Sequence, residues 1–252
     1  QFMFVVAAFA MLLGPITTAE AAEERNYLLA TASTGGTYYP VGVALSTLVK
    51  VKLQPKQKIG MSAINSAGSG ENIKLLRENE VQFAILQGLY GAYAWNGTGP
   101  IESEGPQKNL RSVSMLWQNV EHYAVLKKFA KTGTISDIVA LKGEAMSMGK
   151  KNSGTLGSNT VILGNLGVDI EKDYNLIYVG YGPTADALQN GQISGFGIPA
   201  GVPASAVTKA MANLGDDMAI LDLTDEQMQQ ADGGLGLWTR YVIPAETYPG
   251  QK

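Results

Sequence analysis

Three stretches of the chain can hold an anion without using a charged side chain. They are Ala32-Ser33-Thr34-Gly35-Gly36-Thr37-Tyr38-Tyr39, Asn65-Ser66-Ala67-Gly68-Ser69-Gly70-Glu71-Asn72 and Gly149-Lys150-Lys151-Asn152-Ser153-Gly154-Thr155. Each is a turn rich in hydroxyls and glycine that leads into a helix-like pattern. Glycine admits positive φ and lets a backbone come close to a partner. The first turn of a helix leaves amide N–H groups unpaired and positively polarised. With Ser and Thr hydroxyls, those amides make an anion cradle. Ser, Thr and Asn are also the preferred helix caps, so one such loop alone reads equally well as a cap. Three that open on one crevice favour a binding site. The residues assigned to it are Ser33, Thr34, Gly35, Gly36 and Tyr38 from the first loop, Asn65, Ser66 and Ser69 from the second, and Ser153, Gly154 and Thr155 from the third. Gln87, at the end of the third strand, joins them as a neutral donor and acceptor. Tyr38 and Tyr39 can wall a carbon skeleton, with at least one of the pair in the core.

The remaining composition bounds what the cradle serves. The 252 residues carry 19 basic and 22 acidic side chains, a net charge of −3, and 45% are hydrophobic. This excludes the basic footprint of a nucleic-acid binder and the charge-rich make-up of a disordered chain. Cysteine is absent, so there is no disulfide, thiolate metal site or thiol nucleophile. His122 is the only histidine, too little for a His-built metal site or triad, and it reads as a structural residue beside a domain crossover. Gly195-Phe196-Gly197-Ile198-Pro199-Ala200 fits the letters of a dinucleotide fingerprint, but Pro199 and Pro203 stand where the helix should run. Residues 143–150 lack P-loop spacing, and Lys150 is followed by Lys151 rather than Ser or Thr. No G-x-S-x-G is present. Arg77, Asp216-Asp217 and Asp225-Glu226 read as solvated charges, and Trp95, Trp117 and Trp238 as packing residues. The expectation is a binding protein and not an enzyme, with no cofactor and no metal.

The elements that must position these loops alternate between strand and helix. Strands are expected over 27–32, 58–64, 81–86 and 110–117, with helices over 37–51, 71–78 and from Leu89. The pattern then starts again. Strands are expected over 123–126, 145–148, 175–179, 193–198 and 218–223, with helices over 135–141, 155–166, 184–189 and 205–214. Repeated strand–helix–strand units imply an α/β fold with parallel sheets flanked by helices. In such sheets ligands bind outside the carboxyl ends of strands, where all three loops lie.

Residues 2–13 are an almost unbroken apolar run, ended by Gly14-Pro15 and followed by Ala19-Glu20-Ala21. That is the apolar region and cleavage pattern of a secretory signal peptide over residues 1–21, too short for a bilayer span. Gln1 and the missing basic front suggest a chain cut at its start. Export without cysteine fits a bacterial periplasm.

Thr31-Ala32-Ser33-Thr34-Gly35-Gly36-Thr37-Tyr38-Tyr39-Pro40-Val41-Gly42 closely resembles the opening motif of the TAXI proteins, solute receptors of TRAP transporters. The stretch from Asn65 to Asn72 is similar to their second motif. Leu141-Lys142-Gly143 with Met148-Gly149 resembles their second-lobe strand, and Asn152-Ser153-Gly154-Thr155 their Gly-Ser-Gly-Thr loop. The 187–195 stretch follows their helix–glycine–strand pattern, with Ser194-Gly195 in place of Asp-Ala. Ile243-Pro244 and Tyr248-Pro249-Gly250-Gln251 are similar to their late motif. The resemblance covers residues 27–251, and family members run on for tens of residues past the last motif.

The resemblance implies a two-lobed periplasmic-binding-protein-like fold of type II with the ligand in the interlobe cleft. Lobe one is expected over 22–116 and 216–252, and lobe two over 117–215, with 117–121 as the first crossover. It implies a monomeric receptor that gives a small organic anion to TRAP permease subunits. A dicarboxylate or acidic amino acid, such as 2-oxoglutarate or glutamate, is the expected solute. The loops at Thr34–Tyr38 and Ser66–Ser69 would hold one end, and Ser153, Gly154 and Thr155 would close on the other. The alternatives are a binding module for a sensor or an ATP-driven importer, and a periplasmic enzyme on the same fold.

Overall fold

The computed structural model describes residues 23–251; the signal-peptide reading lies outside the described residues. The first unit contains β1 (Arg25–Ala30), α1 (Tyr38–Lys52), α2 (Gln54–Gln57), β2 (Ile59–Ile64), α3 (Ser69–Arg77), β3 (Phe83–Ala84) and α4 (Gly88–Asn96). The second contains β4 (Val120–Leu126), α5 (Ser136–Val139), β5 (Ala145–Ser147), α6 (Gly154–Asn165), α7 (Ile170–Asp173), β6 (Asn175–Leu176), α8 (Tyr181–Gln189), β7 (Gly195–Ala200), α9 (Ser205–Leu214), β8 (Met218–Ile220) and α10 (Asp225–Asp232).

Local chemistry sets the helix ends. Pro40 stands in the first turn of α1, where its missing N–H costs no bond. Lys50 and Lys52 occupy the last turn, where cations favour the negative end of the helix dipole. Ser153 caps α6 by accepting from the Leu156 amide at 3.0 Å. Thr224 and Gln227 close a reciprocal capping box on α10. Asp225 and Glu226, expected in a solvated turn, form the acidic first turn of that helix.

Two sheets organise the fold. The first has the order β2-β1-β3 and is parallel throughout. The second has the order β6-β5-β7-β4-β8. There β5 runs parallel to β6 and β7, whereas β4 runs antiparallel to β7 and β8. The expectation of parallel pairing fails at β4, which arrives through the crossover and not from a helix lying on that sheet. Apolar clusters cover both faces of the second sheet, and all six residues of β7 are buried, as in a strand covered from both sides. The first unit has a smaller cluster of Ile73, Tyr90, Ala94 and Ile101.

Two sequence expectations are corrected. Residues 110–117 do not form a strand. The alternation of Val113, Met115 and Trp117 with serines suits one, but Val113 is 82% and Met115 86% exposed, and no described strand pairs with the segment. The chain after Asp216 is expected in lobe one, yet it packs on the second unit. There β8 pairs with β4, α10 lies against α6, and Tyr248 joins the core cluster under α9. Met218, Ala231 and Tyr248 are all buried there, so the apolar cover they need comes from the second sheet and its helices.

Candidate functional site

The lobes meet through the loops at their strand ends. Ser33 Oγ accepts from the Tyr181 amide at 3.1 Å, and Thr37 Oγ1 from the Gly201 amide at 2.9 Å. The Glu71 amide donates to the Asn152 carbonyl at 3.0 Å. Ser205 Oγ and the Ala206 amide donate to the Gly35 carbonyl at 2.8 and 3.2 Å. Glycine at this seam serves the other lobe's backbone as well as any ligand. A Cβ on Gly154 would sit 2.8 Å from Ser69 Oγ and 2.9 Å from Gln87 Oε1, and one on Gly35 2.7 Å from the Gly182 amide nitrogen. Gly68 caps α3 at φ +123°, a conformation that favours glycine.

Between the lobes lies a cavity of about 30 Å³, room for roughly two waters where one needs ~10–15 Å³. Any larger solute requires the lobes to part. Of the twelve residues singled out from sequence, Ser33, Gly36, Tyr38, Ser69, Gln87, Ser153, Gly154 and Thr155 line it. Thr34 and Asn65 are solvent-exposed and off the wall. Gly35 belongs to the lobe contact. Ser66 is scaffold: its buried hydroxyl lies 2.6 Å from Asn72 Oδ1 and 3.0 Å from the Thr31 carbonyl, and it accepts from the Gly68 amide. Asn72 in turn donates to the Thr31 and Ile85 carbonyls, fixing the second loop to β1 and the end of β3.

The wall also holds residues that sequence reasoning did not assign. Lys150 supplies its only cationic side chain, and Asn119, Val179, Gly180, Tyr181 and Pro199 complete it. Residues 179–181 follow β6 and lead into α8, so the strand-end rule could have found them; their lack of hydroxyl-rich composition hid them. Thr155 Oγ1 and the Tyr181 hydroxyl are 2.6 Å apart, and Tyr181 donates to the Pro199 carbonyl at 2.7 Å. The single Tyr181 proton is thereby used, so Thr155 donates to Tyr181 and turns its lone pairs to the cavity. Ser153 is likewise committed, donating to the Lys150 carbonyl at 2.6 Å and capping α6. The Gly154 and Thr155 amides follow in the uncapped part of the first turn, where donors are free of intrahelical bonds.

Burial shapes the protonation of the surrounding groups. It pushes the Tyr38 hydroxyl up to about 12, against a hydrogen bond with Ser69 and with help from the Glu121 charge. Burial also raises the Tyr181 hydroxyl well above the usual phenol value. Glu121 is pushed up to about 7, first by burial, with the Trp238 indole hydrogen bond and the neighbouring Ser158 hydroxyl opposing it. His122 is fully buried, with Nδ1 3.0 Å from the Ile198 carbonyl and Nε2 2.7 Å from the Tyr248 hydroxyl. It is a satisfied structural histidine, as the sequence reading has it. Among the described residues no cluster of three or more His, Cys, Asp or Glu is suited to a metal, and no helix is long and apolar enough to cross a membrane.

Solved structures resemble this arrangement. The alkanesulfonate-binding protein SsuA from Xanthomonas axonopodis pv. citri, bound to MOPS, superposes with a TM-score of 0.51 over 86% of this chain and 64% of that one, at 14% identity. The chain thus spans less than two thirds of that protein's length. A binding protein component of an ABC phosphonate transporter from Pseudomonas aeruginosa also gives 0.51, over 84% of this chain and 74% of that one, at 12% identity. At such identities the likeness speaks to the fold, and the fold is the two-lobed α/β architecture of periplasmic binding proteins. The match of residues 29–252 to the NMT1-like family covers nearly the whole chain, and the protein belongs to that family.

Proposed function

We propose that the protein is an extracytoplasmic solute receptor that encloses a small organic anion between its lobes and hands it to a membrane transporter. The observation that carries this reading is the convergence of strand-end loops from both lobes on one cavity. The solute enters with the lobes parted, and hinge closure brings the second lobe over it. Main-chain amides at the starts of α1, α3 and α6, the Ser33 hydroxyl and the Lys150 ammonium supply donors and positive potential. A dicarboxylate or an acidic amino acid fits that donor set, and so do a sulfonate and a phosphonate. The wall carries no nucleophile–base pair: the Tyr181 proton goes to a main-chain carbonyl, and His122 is buried in the second lobe. Binding without turnover is the reading this favours.

The ordered TAXI-like motifs support a TRAP permease as the receiving transporter, and the leader-like residues 1–21 support a periplasmic location. A second reading draws on the fold likeness to alkanesulfonate- and phosphonate-transport proteins: an ATP-driven importer as partner. Native purification followed by mass spectrometry of co-purified small molecules tests the receptor reading, together with calorimetry against glutamate, 2-oxoglutarate, alkanesulfonates and alkylphosphonates. One class of small anion should bind with 1:1 stoichiometry. Failure of every anion to bind, with no small molecule carried through purification, sinks the receptor reading.

A further inference from the structure

The cavity and its surroundings hold buried oxygens whose hydrogen-bonding capacity nothing in the described residues uses. Gln87 is 8% exposed, and its Oε1 has no partner. Asn119 Oδ1 on the same cavity is also buried and unpartnered. Two residues further along the chain, in β4, stands Glu121. Its Oε1 accepts from Trp238 Nε1 at 3.1 Å, while its Oε2 is buried without a partner. Glu121 lies opposite Pro199 in the β4–β7 pairing, and Pro199 lines the cavity. Buried polar atoms are rarely left unpaired, and each exception calls for an explanation.

All three atoms are acceptors. A plain dicarboxylate or alkanesulfonate at neutral pH brings acceptors only. It would match Lys150 and the helix-start amides, leave these three oxygens unpaired, and carry negative charge toward Glu121. An ammonium group has three donors and no acceptor. We infer that the cleft selects an anion that also carries a protonated amino group, with the Gln87 and Asn119 amide oxygens receiving the amine and the Glu121 carboxylate as its counter-charge. This inference rests on the receptor reading above.

Among the described residues no cationic side chain pairs with Glu121. The groups acting on it are Tyr38 of α1, Tyr123 of its own strand, Ser158 of α6, Tyr181 of α8 and Trp238 beyond α10, and none is positively charged. Lys150, across the cavity wall, makes no ion pair with it among the described residues. Burial pushes the Glu121 carboxyl up to about 7, so near neutral pH part of it holds a proton when no cation is present. An arriving ammonium favours the carboxylate, and the proton leaves to solvent.

Calorimetry with matched pairs tests this: 2-aminoethanesulfonate against ethanesulfonate, glutamate against glutarate, and 2-aminoethylphosphonate against ethylphosphonate. In at least one pair the amino member should bind at least about tenfold tighter than its partner. Buffers of different ionisation enthalpy should show net proton release on binding of the amino member near pH 7. In Glu121→Gln, checked for folding by circular dichroism, the ratio should fall to within about threefold and proton release should vanish. Asn119→Leu gives a second variant, which should lower the ratio. Equal or tighter binding of every deaminated member by the wild-type protein overturns the inference alone, as does a co-purified solute without an amine. No binding by any probe and an empty mass spectrum overturns the receptor reading, and this inference with it.

Discussion

At the scale of the residue, the fate of each hydroxyl proton separates scaffold from surface. Ser66 and Ser153 look like ligand donors in the sequence, but both protons and lone pairs serve neighbouring backbone and Asn72. Thr155 keeps lone pairs facing the cavity because its proton goes to Tyr181. Thr34 is exposed. Thr34→Leu should therefore leave solute affinity within about twofold. Thr155→Val removes one buried hydrogen bond to Tyr181 and should lower stability by about 1 kcal/mol, with weaker binding; denaturant melts and calorimetry on the two variants check the contrast. Loss of binding in Thr34→Leu would show that the first loop reaches the solute differently. Residue types alone marked the loops, and eight of the twelve assigned positions lie on the cavity wall. They could not tell a cap from a ligand, because the same hydroxyl chemistry serves both.

At the scale of the element, the helix starts meet across the cleft with almost no room. Gly154, the first residue of α6, faces Ser69 of α3 and Gln87 just before α4. Gly154→Ala should wedge the lobes apart, since the new methyl would come within 3.0 Å of both side chains. The expected results are a larger radius of gyration in solution scattering with solute present and a loss of affinity of at least about tenfold. The melting temperature of the unliganded protein should hold. An unchanged affinity would mean that the closed seam tolerates a methyl group. Periodicity found helices that bury an apolar face, such as α6 and α9. It missed α2, α7 and α10, which are short and polar; α10 depends on its cap and on packing against α6. It also predicted a strand over 110–117 that finds no partner, because a strand exists only where another supplies its hydrogen bonds.

At the scale of the molecule, Glu121 couples protonation to the folded state, and its charge acts on Tyr38 of the first lobe and Tyr181 of the second. Its carboxyl rises from 4.5 to about 7 on folding. A carboxyl with a raised folded value is protonated in both states below pH 4.5 and contributes nothing there. Between pH 4.5 and 7 the unfolded chain ionises while the folded one holds its proton, so stability falls as pH rises through that window. The cost levels off above it, at no more than about 3 kcal/mol. His122 acts in the opposite direction, since burial lowers it and stability is lost as pH falls below about 6.5. The difference between wild-type and Glu121→Gln unfolding free energies, measured from pH 4 to 8, isolates the carboxyl. A difference that stays flat across that range would mean Glu121 remains solvated in the folded protein.

The sequence by itself determined the alternation of strands and helices, the loops that open at strand ends and the lack of a thiol, a G-x-S-x-G motif or a histidine cluster. These are local properties, written in spacing over a few residues. Only the tertiary structure decided that Ser33 meets the amide of Tyr181, 148 positions away, and that Lys150, Asn119 and Tyr181 share a wall with the predicted loops. It also decided that β4 reverses direction and that the chain after Asp216 stays with the second lobe. Such contacts join residues far apart in the chain, and the hydrogen bonds and burial that fix them depend on packing that no local pattern encodes.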